Sequence, residues 1–405
     1  MKSSEEESLM GIRAVNTKTA DDSGEKNADA LIKRHRRRRF LRVIAVVVAV
    51  VAVLIVIAAI RSNMTFSGYT ITKTIETESN GSAGVVEFCD GILKYSQDGI
   101  TYINGREAVW NSAFEMGSPI LDVCGEYAAI TDESSGVIYL FNEDGKVSEI
   151  NTSYPVVKIE VAKQGVVAAL MEDGTTNYIE VYDKTGEVLV TEKTVLDGSG
   201  YPVDFSISQD ATKMAVSYVC VSSGVMESKV LFYNFSDVGQ NEVDRMVGGF
   251  NQYDSSVVPV VEFTDNDTVI AIGDDVISVY SMDETPVLED EISINDEICQ
   301  VFYSEKYIGL VTENTDNVNP YIVTIYNMSL KEVSSFEISR LSERITFDDN
   351  TVMMFSDGQL LVTSFSGKVR FESEFTSETL DIVPASGKYK YLLINTDSIE
   401  KIRLK

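Results

Sequence analysis

Apolar and polar positions follow two different patterns, one on each side of residue 61. Residues 43–60 form one apolar run without a charge. From residue 62 onward, short runs rich in Val, Ile, Tyr, Phe and Thr alternate with Gly, Asp and Asn every few residues. This alternation is typical of strands joined by tight turns, and no amphipathic helical periodicity is present beyond Arg61. The larger part of the chain is therefore predicted to be all-β.

Two strand patterns recur in a fixed order along this part. One reads apolar, any, apolar and then usually an aromatic residue, as in ITYIN, IYLFN and IEVYD, with weak final copies at LLVTS and SIEKIRL. Its fourth residues are Ile103, Phe141, Tyr182, Tyr233, Tyr280, Tyr326 and Thr363, separated by 37 to 51 residues. A denser apolar strand precedes each copy. This period fits a four-stranded propeller blade, so we predict an eight-bladed β-propeller, with seven blades as the alternative.

The last repeat has room for three strands only, between Leu380 and Lys405. The strand-like segment YTITKTIE, Tyr69–Glu76, belongs to no repeat. We predict that it supplies the fourth strand of the last blade and closes the ring, because closure removes exposed sheet edges.

The N-terminal segment has the pattern of a membrane anchor. The 18 apolar residues 43–60 would span about 27 Å as a helix, close to the thickness of a bilayer core. The basic segment 33–42 precedes them and includes Arg36, Arg37, Arg38, Arg39 and Arg42. By the positive-inside rule these arginines keep the N-terminus in the cytoplasm.

We therefore predict a disordered cytoplasmic tail over 1–32, an uncleaved transmembrane signal anchor over 43–61 and an extracytoplasmic propeller over 62–405 at the plasma membrane. A cleaved signal peptide is the alternative, but about forty residues before the apolar run are too many for it. Nucleic-acid binding is not predicted, because the basic run has no aromatic interleaving and adjoins the membrane segment.

Charge separates the two parts further. Residues 1–61 hold 12 Lys and Arg against 7 Asp and Glu, whereas residues 62–405 hold 22 against 56, a net charge of −34. An acidic domain favours cations or basic partners. The alternative is that the excess carboxylates serve solubility.

Composition also excludes several chemistries. His35 is the single histidine of the chain and lies in the basic segment. Serine and cysteine triads and imidazole-ligated metal sites are therefore excluded from residues 62–405. The four cysteines, Cys89, Cys124, Cys220 and Cys299, lie in apolar strands without CxxC spacing and are predicted to be buried free thiols. Cys89 and Cys124 occupy matching places in adjacent repeats and are the one candidate disulfide pair.

Acidic residues recur in the turns between the second and third strands of the repeats. They are Asp98, Asp132, Asp173, Asp274, Asp275, Asp316, Asp357 and Asp397. In a propeller these turns open on one face, so they would form an acidic rim that binds Ca²⁺ or a basic partner. The alternative is that Asp suits tight turns.

Several repeats resemble known propeller families. FSISQDATKMAVSYV (Phe205–Val219) resembles WD-repeat and TolB-like propellers, and IEVYDKTGEVLV (Ile179–Val190) resembles quinoprotein-like propellers. No Trp-Asp dipeptide is present, and Trp110 is the sole tryptophan, so no quinone cofactor is predicted. The whole layout is similar to membrane-anchored proteins of clostridia-like Gram-positive bacteria with a propeller of unknown function.

The predicted function is that of a membrane-tethered, extracytoplasmic binding or scaffold module for a protein or polymer of the cell envelope. The alternative is a carboxylate-dependent enzyme that acts on cell-surface carbohydrate. The sequence predicts no cofactor and favours the non-enzymatic function.

Overall fold

The computed structural model describes residues 40, 42, 44–53, 64–77, 84–195, 200–222, 224–315, 318–376 and 378–405. The chain divides into two units, Met1–Met64 and Thr65–Lys405. In the first unit, residues 44–53 are helical. No helix within the described residues is both long and apolar enough to cross a membrane. The predicted tail, the arginines Arg36, Arg37, Arg38 and Arg39 and the remainder of the predicted span lie outside the described residues.

The second unit is an eight-bladed β-propeller. Its described residues form thirty-two strands in eight antiparallel four-stranded sheets. Two short 3-10 helices, Gly239–Asn241 and Val243–Arg245, lie between the third and fourth strands of the fourth blade.

Blades 1 to 4 follow one another along the chain. Their strands are β2 (Gly84–Phe88), β3 (Gly91–Ser96), β4 (Gly99–Asn104) and β5 (Glu107–Ala113); β6 (Pro119–Cys124), β7 (Tyr127–Asp132), β8 (Val137–Asn142) and β9 (Gly145–Asn151); β10 (Val156–Val161), β11 (Val167–Asp173), β12 (Thr176–Tyr182) and β13 (Val188–Val195); and β14 (Tyr201–Ile207), β15 (Lys213–Ser222), β16 (Val225–Asn234) and β17 (Met246–Tyr253).

Blades 5 to 8 complete the ring. Their strands are β18 (Val260–Phe263), β19 (Thr268–Ile272), β20 (Val276–Met282) and β21 (Pro286–Ser293); β22 (Ile298–Tyr303), β23 (Tyr307–Glu313), β24 (Tyr321–Asn327) and β25 (Glu332–Ile338); β26 (Arg344–Asp348), β27 (Thr351–Ser356), β28 (Gln359–Ser364) and β29 (Val369–Glu374); and β30 (Thr379–Pro384), β31 (Lys390–Asn395), β32 (Ser398–Leu404) and β1 (Tyr69–Glu76).

The first strand of each blade lies innermost. First strands of neighbouring blades contact one another, as β6 and β10, β14 and β18, and β22 and β26 do. Since every blade runs in the same direction, the turns between second and third strands all open on one face, which we call the 2–3 face. The turns between third and fourth strands open on the opposite face, called the 3–4 face. The core lies between blades, where the second and third strands bury Val, Ile, Leu, Phe and Tyr against the next sheet.

The termini close the ring as the sequence predicts. Strand β1 pairs antiparallel with β32, from Tyr69 opposite Leu404 to Glu76 opposite Ser398. Ile75, which is 3% exposed, packs between blades 8 and 1. The prediction of eight blades is confirmed, and the alternative of seven is wrong.

The repeated fourth residue marks a β-bulge. In every blade from 1 to 7 the pairing of the third and fourth strands shifts register at that residue: Ile103, Phe141, Tyr182, Tyr233, Tyr280, Tyr326 and Thr363. The extra residue falls on the outer strand, and at Val109, Leu189 and Val333 it is an exposed aliphatic side chain. Bulges increase the local twist and blunt a sheet edge. The repeat found in the sequence therefore marks a β-bulge in the backbone of each blade as well as a recurring type of side chain.

Candidate functional site: charged side chains at the propeller axis

The innermost strands have an edge that no strand of their own blade covers, so their backbone N–H groups need other partners. Carboxylates from the preceding blade supply them. Three such hydrogen bonds join blades 2 to 5: Val161 N to Asp122 Oδ2 at 2.6 Å, Ile207 N to Glu160 Oε2 at 2.8 Å, and Val261 N to Asp204 Oδ2 at 2.9 Å. These acidic side chains therefore link the blades at the axis.

Bulges also place polar residues at the axis. The register between first and second strands shifts just before Lys158, Asp204, Gln300 and Asp381. A bulge re-aims the side chain that follows it. In an otherwise apolar strand, this irregularity gives room for a charged or amide side chain.

Lys158 is the one cation among the acids of blades 2 to 5 at this position. Its Nζ lies 2.6 Å from Asp204 Oδ1 and 3.0 Å from Glu160 Oε1, and it donates to Phe205 O at 2.7 Å. The side chains of Glu160 and Asp204 are 13% and 14% exposed. Burial alone would lower the pKa of the ammonium, but the two carboxylates outweigh it and the pKa of Lys158 is raised.

Two glutamates in this region bind protons near neutral pH. Burial raises the pKa of Glu160 to about 7, although Lys158 opposes the shift. Burial and the charge of Glu160 raise the pKa of Glu262 to about 8. Tyr303 donates a hydrogen bond from its hydroxyl to Glu262 Oε2 at 3.4 Å, and burial raises its pKa too. Burial likewise raises the pKa of Asp122.

These side chains form the axial cluster: Asp122, Lys158, Glu160, Asp204, Glu262 and Tyr303. The cluster holds four carboxyl groups and one ammonium that are partly shielded from water, and the side chain of Lys158 is 30% exposed. Such an arrangement can take up and release protons between about pH 7 and pH 8. Perturbed carboxyl groups of this kind are typical of functional sites, although structural networks produce them too.

In the other half of the ring, polar side chains form hydrogen-bonded pairs that are neutral or combine opposite charges. Gln300 and Ser342 exchange two hydrogen bonds, at 2.6 and 3.3 Å. Arg344 binds Asp381 through two nitrogens, at 3.0 and 2.6 Å. Lys401 binds Glu87 at 2.7 Å. The excess of negative charge at the axis therefore lies in blades 2 to 5.

The acidic turn residues predicted from the sequence do lie on the 2–3 face, but several are bonded to the connection that precedes the first strand of the same blade. Asp132 accepts from Ser118 N at 2.6 Å, Asp274 from Val257 N at 3.1 Å and Asp275 from Ser256 Oγ at 2.5 Å, and Asp357 pairs with Arg340 at 3.2 Å. Asp98, Asp173 and Asp397 stand in separate blades, and Asp316 lies outside the described residues. Across the part of the chain that the structure describes, no three His, Cys, Asp or Glu residues are grouped to hold a metal ion.

The four cysteines are free thiols in the structure. They are half-buried rather than fully buried. Cys89 and Cys124 are not joined to each other.

Sequence reasoning missed the axial cluster. A signal was present, because six first strands carry an acid next to apolar residues: VVEF at Glu87, ILDV at Asp122, KIEV at Glu160, VDF at Asp204, VVEF at Glu262 and LDIV at Asp381. An acid flanked by apolar residues in an innermost strand faces either the axis or a neighbouring blade. The sequence alone did not separate these acids from the many on the surface.

Blade 4 carries a second feature on the 2–3 face. Its second and third strands, β15 and β16, have 10 residues each, whereas those of the other blades have 5 to 7. The tip of this hairpin is apolar and exposed: Val221 is 70%, Val225 49% and Met226 55% exposed. We call residues 219–228 the blade 4 hairpin.

The fold and the axial geometry define the class of this protein, an eight-bladed β-propeller whose blades are linked at the axis by buried charged side chains. The chain belongs to DUF5711, a family of unknown function, whose model matches residues 62–404. None of the curated proteins compared with the chain matches it.

Three solved structures are similar to this chain at low sequence identity. BamB from Moraxella catarrhalis is 10% identical with a TM-score of 0.54, over 83% of this chain and 100% of that chain. Hsv2 of Kluyveromyces lactis is 11% identical with a TM-score of 0.47, over 72% and 99%. The Pan2 WD40 domain of Neurospora crassa is 10% identical with a TM-score of 0.44, over 70% and 87%. At this identity the similarity to BamB reflects the fold alone.

Proposed function

We propose that this protein is a membrane-tethered interaction module. Its N-terminal apolar segment anchors it in the plasma membrane, its propeller lies outside the cytoplasm, and the 2–3 face binds a protein of the cell envelope. The observation that carries the binding function is the blade 4 hairpin, which holds three aliphatic side chains in water at the end of two extended strands.

The hairpin has the form of a docking element. An exposed apolar group costs free energy in water, and a β-hairpin tip gives it a defined position on a rigid scaffold. The strands of the hairpin remain fully paired out to Ser222 opposite Val225, so the tip is held by backbone hydrogen bonds. A partner with an apolar cleft could bury Val221 and Met226 without first ordering them.

The charge of the same face defines the partner further. The turns of the 2–3 face carry Asp98, Asp173 and Asp397 in addition to the loop-bonded acids, and residues 62–405 have a net charge of −34. Surfaces of opposite charge associate faster and more selectively. The proposed partner therefore has an apolar cleft within a basic surface.

Site-specific photo-crosslinking in living cells tests the interaction. A photo-reactive residue at position 221 should yield a crosslinked partner, because the hairpin tip lies in the interface. Val243 is the matched control, since it is 78% exposed in the 3–4 connection of the same blade and so opens on the opposite face. Equal crosslinking from both positions, or none from position 221, contradicts the proposal.

Protease treatment of intact cells without their wall tests the placement. The basic residues before the apolar run support an extracytoplasmic propeller. Added protease should then degrade residues 62–405 and leave an epitope at the N-terminus intact. The opposite pattern would place the propeller in the cytoplasm.

The axial cluster supports a second candidate, a carboxylate-dependent hydrolase for cell-surface carbohydrate. Glu262, with its pKa raised to about 8, has the property of a general acid, and a second carboxyl group of the cluster would be its catalytic partner. Hydrolysis of cell-wall glycans by the full-length chain that disappears in Glu262→Gln would favour this function over binding. Activity that persists in the variant would dismiss it.

A further inference from the structure

The outermost strand of blade 4, β17, has a composition unlike that of the other outer strands. Its sequence is MVGGFNQY, without a charged residue. Each of the other seven outer strands in the described part of the chain contains at least one Lys, Arg, Asp or Glu. Charges on edge strands prevent further strands from adding to a sheet. Strand β17 lacks this protection.

The edge of β17 is also accessible. The strand pairs with β16 on one side and stands last in its sheet. Gly248 and Gly249 carry no side chains that would cover the backbone. Packing is close at both positions, because a Cβ would lie 2.5 Å from Pro286 Cγ at Gly248 and 2.5 Å from Leu231 Cδ2 at Gly249. Two register shifts, at Val247 and before Tyr253, leave the regular stretch Gly248–Phe250 between them.

A groove runs beside this edge. It has a volume of about 480 Å³ and is lined by Lys229, Leu231 and residues 246–251 of β17. Leu231 stands opposite Gly249 in the register, so both face the same side of the sheet. A strand added to β17 would point alternate side chains to this side, where the groove has room for them.

The ends of the strand are acidic. Glu242 and Asp244 precede β17, and Asp254 follows it. Burial raises the pKa of Glu192 in blade 3 to about 7, and the nearby charge of Asp244 adds to this rise. Arg245 and Lys229 are the nearby cations. The charge around the edge thus favours a strand with basic residues at its ends.

We propose that β17 is a docking edge for an extended peptide segment of a partner protein, which adds to blade 4 as a fifth strand. The segment has small or apolar residues at alternate positions and Lys or Arg at both ends. This site is distinct from the blade 4 hairpin, because it uses the outer edge of the blade rather than its tip.

The test uses the full-length chain and a linear synthetic peptide in which Val alternates with Thr and two Lys residues stand at each end. Backbone amide exchange in β17 should slow about tenfold when the peptide binds, and exchange in β5 of blade 1 should not change. The same peptide closed by Glu should give no protection, because the acidic ends of the edge repel it. A third peptide with a central Pro should also fail, because it cannot complete the ladder.

Matched variants localise the effect. Asn251→Lys puts a charge on the β17 edge and should abolish protection, while Asn111→Lys makes the same change at an exposed position of β5 and should retain it. No protection by the Lys-ended peptide, or equal protection by the Glu-ended one, overturns the proposal. Protection that appears without peptide as the chain concentration rises would overturn it in favour of pairing between two copies. The peptide comparison stands even if a variant does not fold, and it is independent of crosslinking at position 221.

Discussion

Lys158 holds two carboxyl groups that would otherwise repel each other in a site with little water. Its ammonium contacts both Glu160 and Asp204, and it lies 5.1 Å from the centre of the Phe205 ring. A buried carboxylate that loses its partner keeps the full cost of desolvation. The stability of the axis therefore depends on this one cation.

Replacing this lysine should destabilise the propeller strongly. We expect Lys158→Met to lower the free energy of unfolding by about 3 kcal/mol at neutral pH, because it leaves buried carboxylates unpaired. Urea unfolding monitored by circular dichroism measures the change. Lys146→Met is the control, since Lys146 pairs with Glu149 at 3.1 Å while both side chains are nearly half exposed, and its loss should cost less than about 1 kcal/mol. Equal losses in the free energy of unfolding would show that the axial ion pairs stabilise the protein no more than an exposed ion pair does.

Glu262 makes the stability of the protein depend on pH. Its pKa is raised from an ordinary 4.5 to about 8, so between these values the folded state binds a proton that the unfolded state does not. Its contribution to stability is complete below about pH 4.5 and is lost as the pH rises through about 8. At pH 8 and above, an ionised Glu262 stands near three other carboxylates.

The neutral variant Glu262→Gln tests this linkage. It should match the native chain in stability near pH 5 and exceed it by roughly 2 kcal/mol near pH 9, because glutamine cannot ionise. Unfolding midpoints in urea across this range measure the difference. Glu149→Gln, an exposed change, should show no such trend. A constant offset between Glu262→Gln and the native chain would contradict the raised pKa.

At the scale of elements, the strand that closes the ring has two unlike faces. Ile75 is 3% exposed and packs with Val85 and Ile399, whereas Ile71 of the same strand is 47% exposed. Strict alternation would put residues 71 and 75 on the same face, but the register with β32 shifts between Ile71 and Lys73. This bulge turns Ile75 into the core between blades 8 and 1 and leaves Ile71 in solvent.

The same substitution at these two positions should have different effects. Ile75→Ala should lower the free energy of unfolding by about 3 kcal/mol, because it removes buried apolar surface and leaves a cavity at the closure. Ile71→Ala should change it by less than about 0.5 kcal/mol. Midpoints of chemical denaturation give both values. Similar losses at the two positions would mean that the bulge in β1 does not separate the two side chains.

The sequence predicted elements well because two signals coincide in each repeat. The aromatic residue of the third strand packs between blades, and the same residue marks the bulge that bends the outer strand, so both features repeat with the blade. Closure by Tyr69–Glu76 was predictable because one strand was unassigned and one blade was short. The length of β15 and β16 was not predicted, because the spacing of 51 residues from Tyr182 to Tyr233 also spans β13, β14 and their connections.

The axial cluster could not be predicted in the same way. Its hydrogen bonds join residues 39 to 57 positions apart, about one repeat, as from Asp122 to Val161 and from Asp204 to Val261. Only a closed ring brings matching positions of successive blades together. The sequence instead pointed to the acids in the turns between second and third strands, because their regular spacing is visible in it. The hydrogen bonds that these acids accept from loop backbone are not visible in a sequence.

At the scale of the whole molecule, negative charge is widely distributed, and several acids of the 2–3 face are bonded to the connections between blades. Asp132, Asp274 and Asp275 accept hydrogen bonds from neighbouring residues, and Asp357 pairs with Arg340. Added salt should therefore act mainly by screening repulsion between the blades.

Melting temperatures in two salts distinguish screening from a specific calcium site. At matched ionic strength, CaCl₂ and NaCl should raise the melting temperature of the full-length chain by the same amount, within about 1 °C. A larger rise with millimolar CaCl₂ that saturates would contradict this expectation. Asp98→Asn, Asp173→Asn and Asp397→Asn, measured one at a time, would then identify the turn responsible.

The pairing of β1 with β32 has a mechanical consequence. Strand β1 begins four residues after Thr65, where the second unit starts. A pull on the preceding chain therefore first loads the hydrogen bonds from Phe66 N to Arg370 O and from Ser67 N to Lys405 O, and then this seam. Tension along the strand is shared by all seven paired positions of β1, whereas tension perpendicular to the strand separates these pairs one after another. The direction of tension on the N-terminal segment would thus decide whether β1 stays paired with β32 or separates from it and opens the ring.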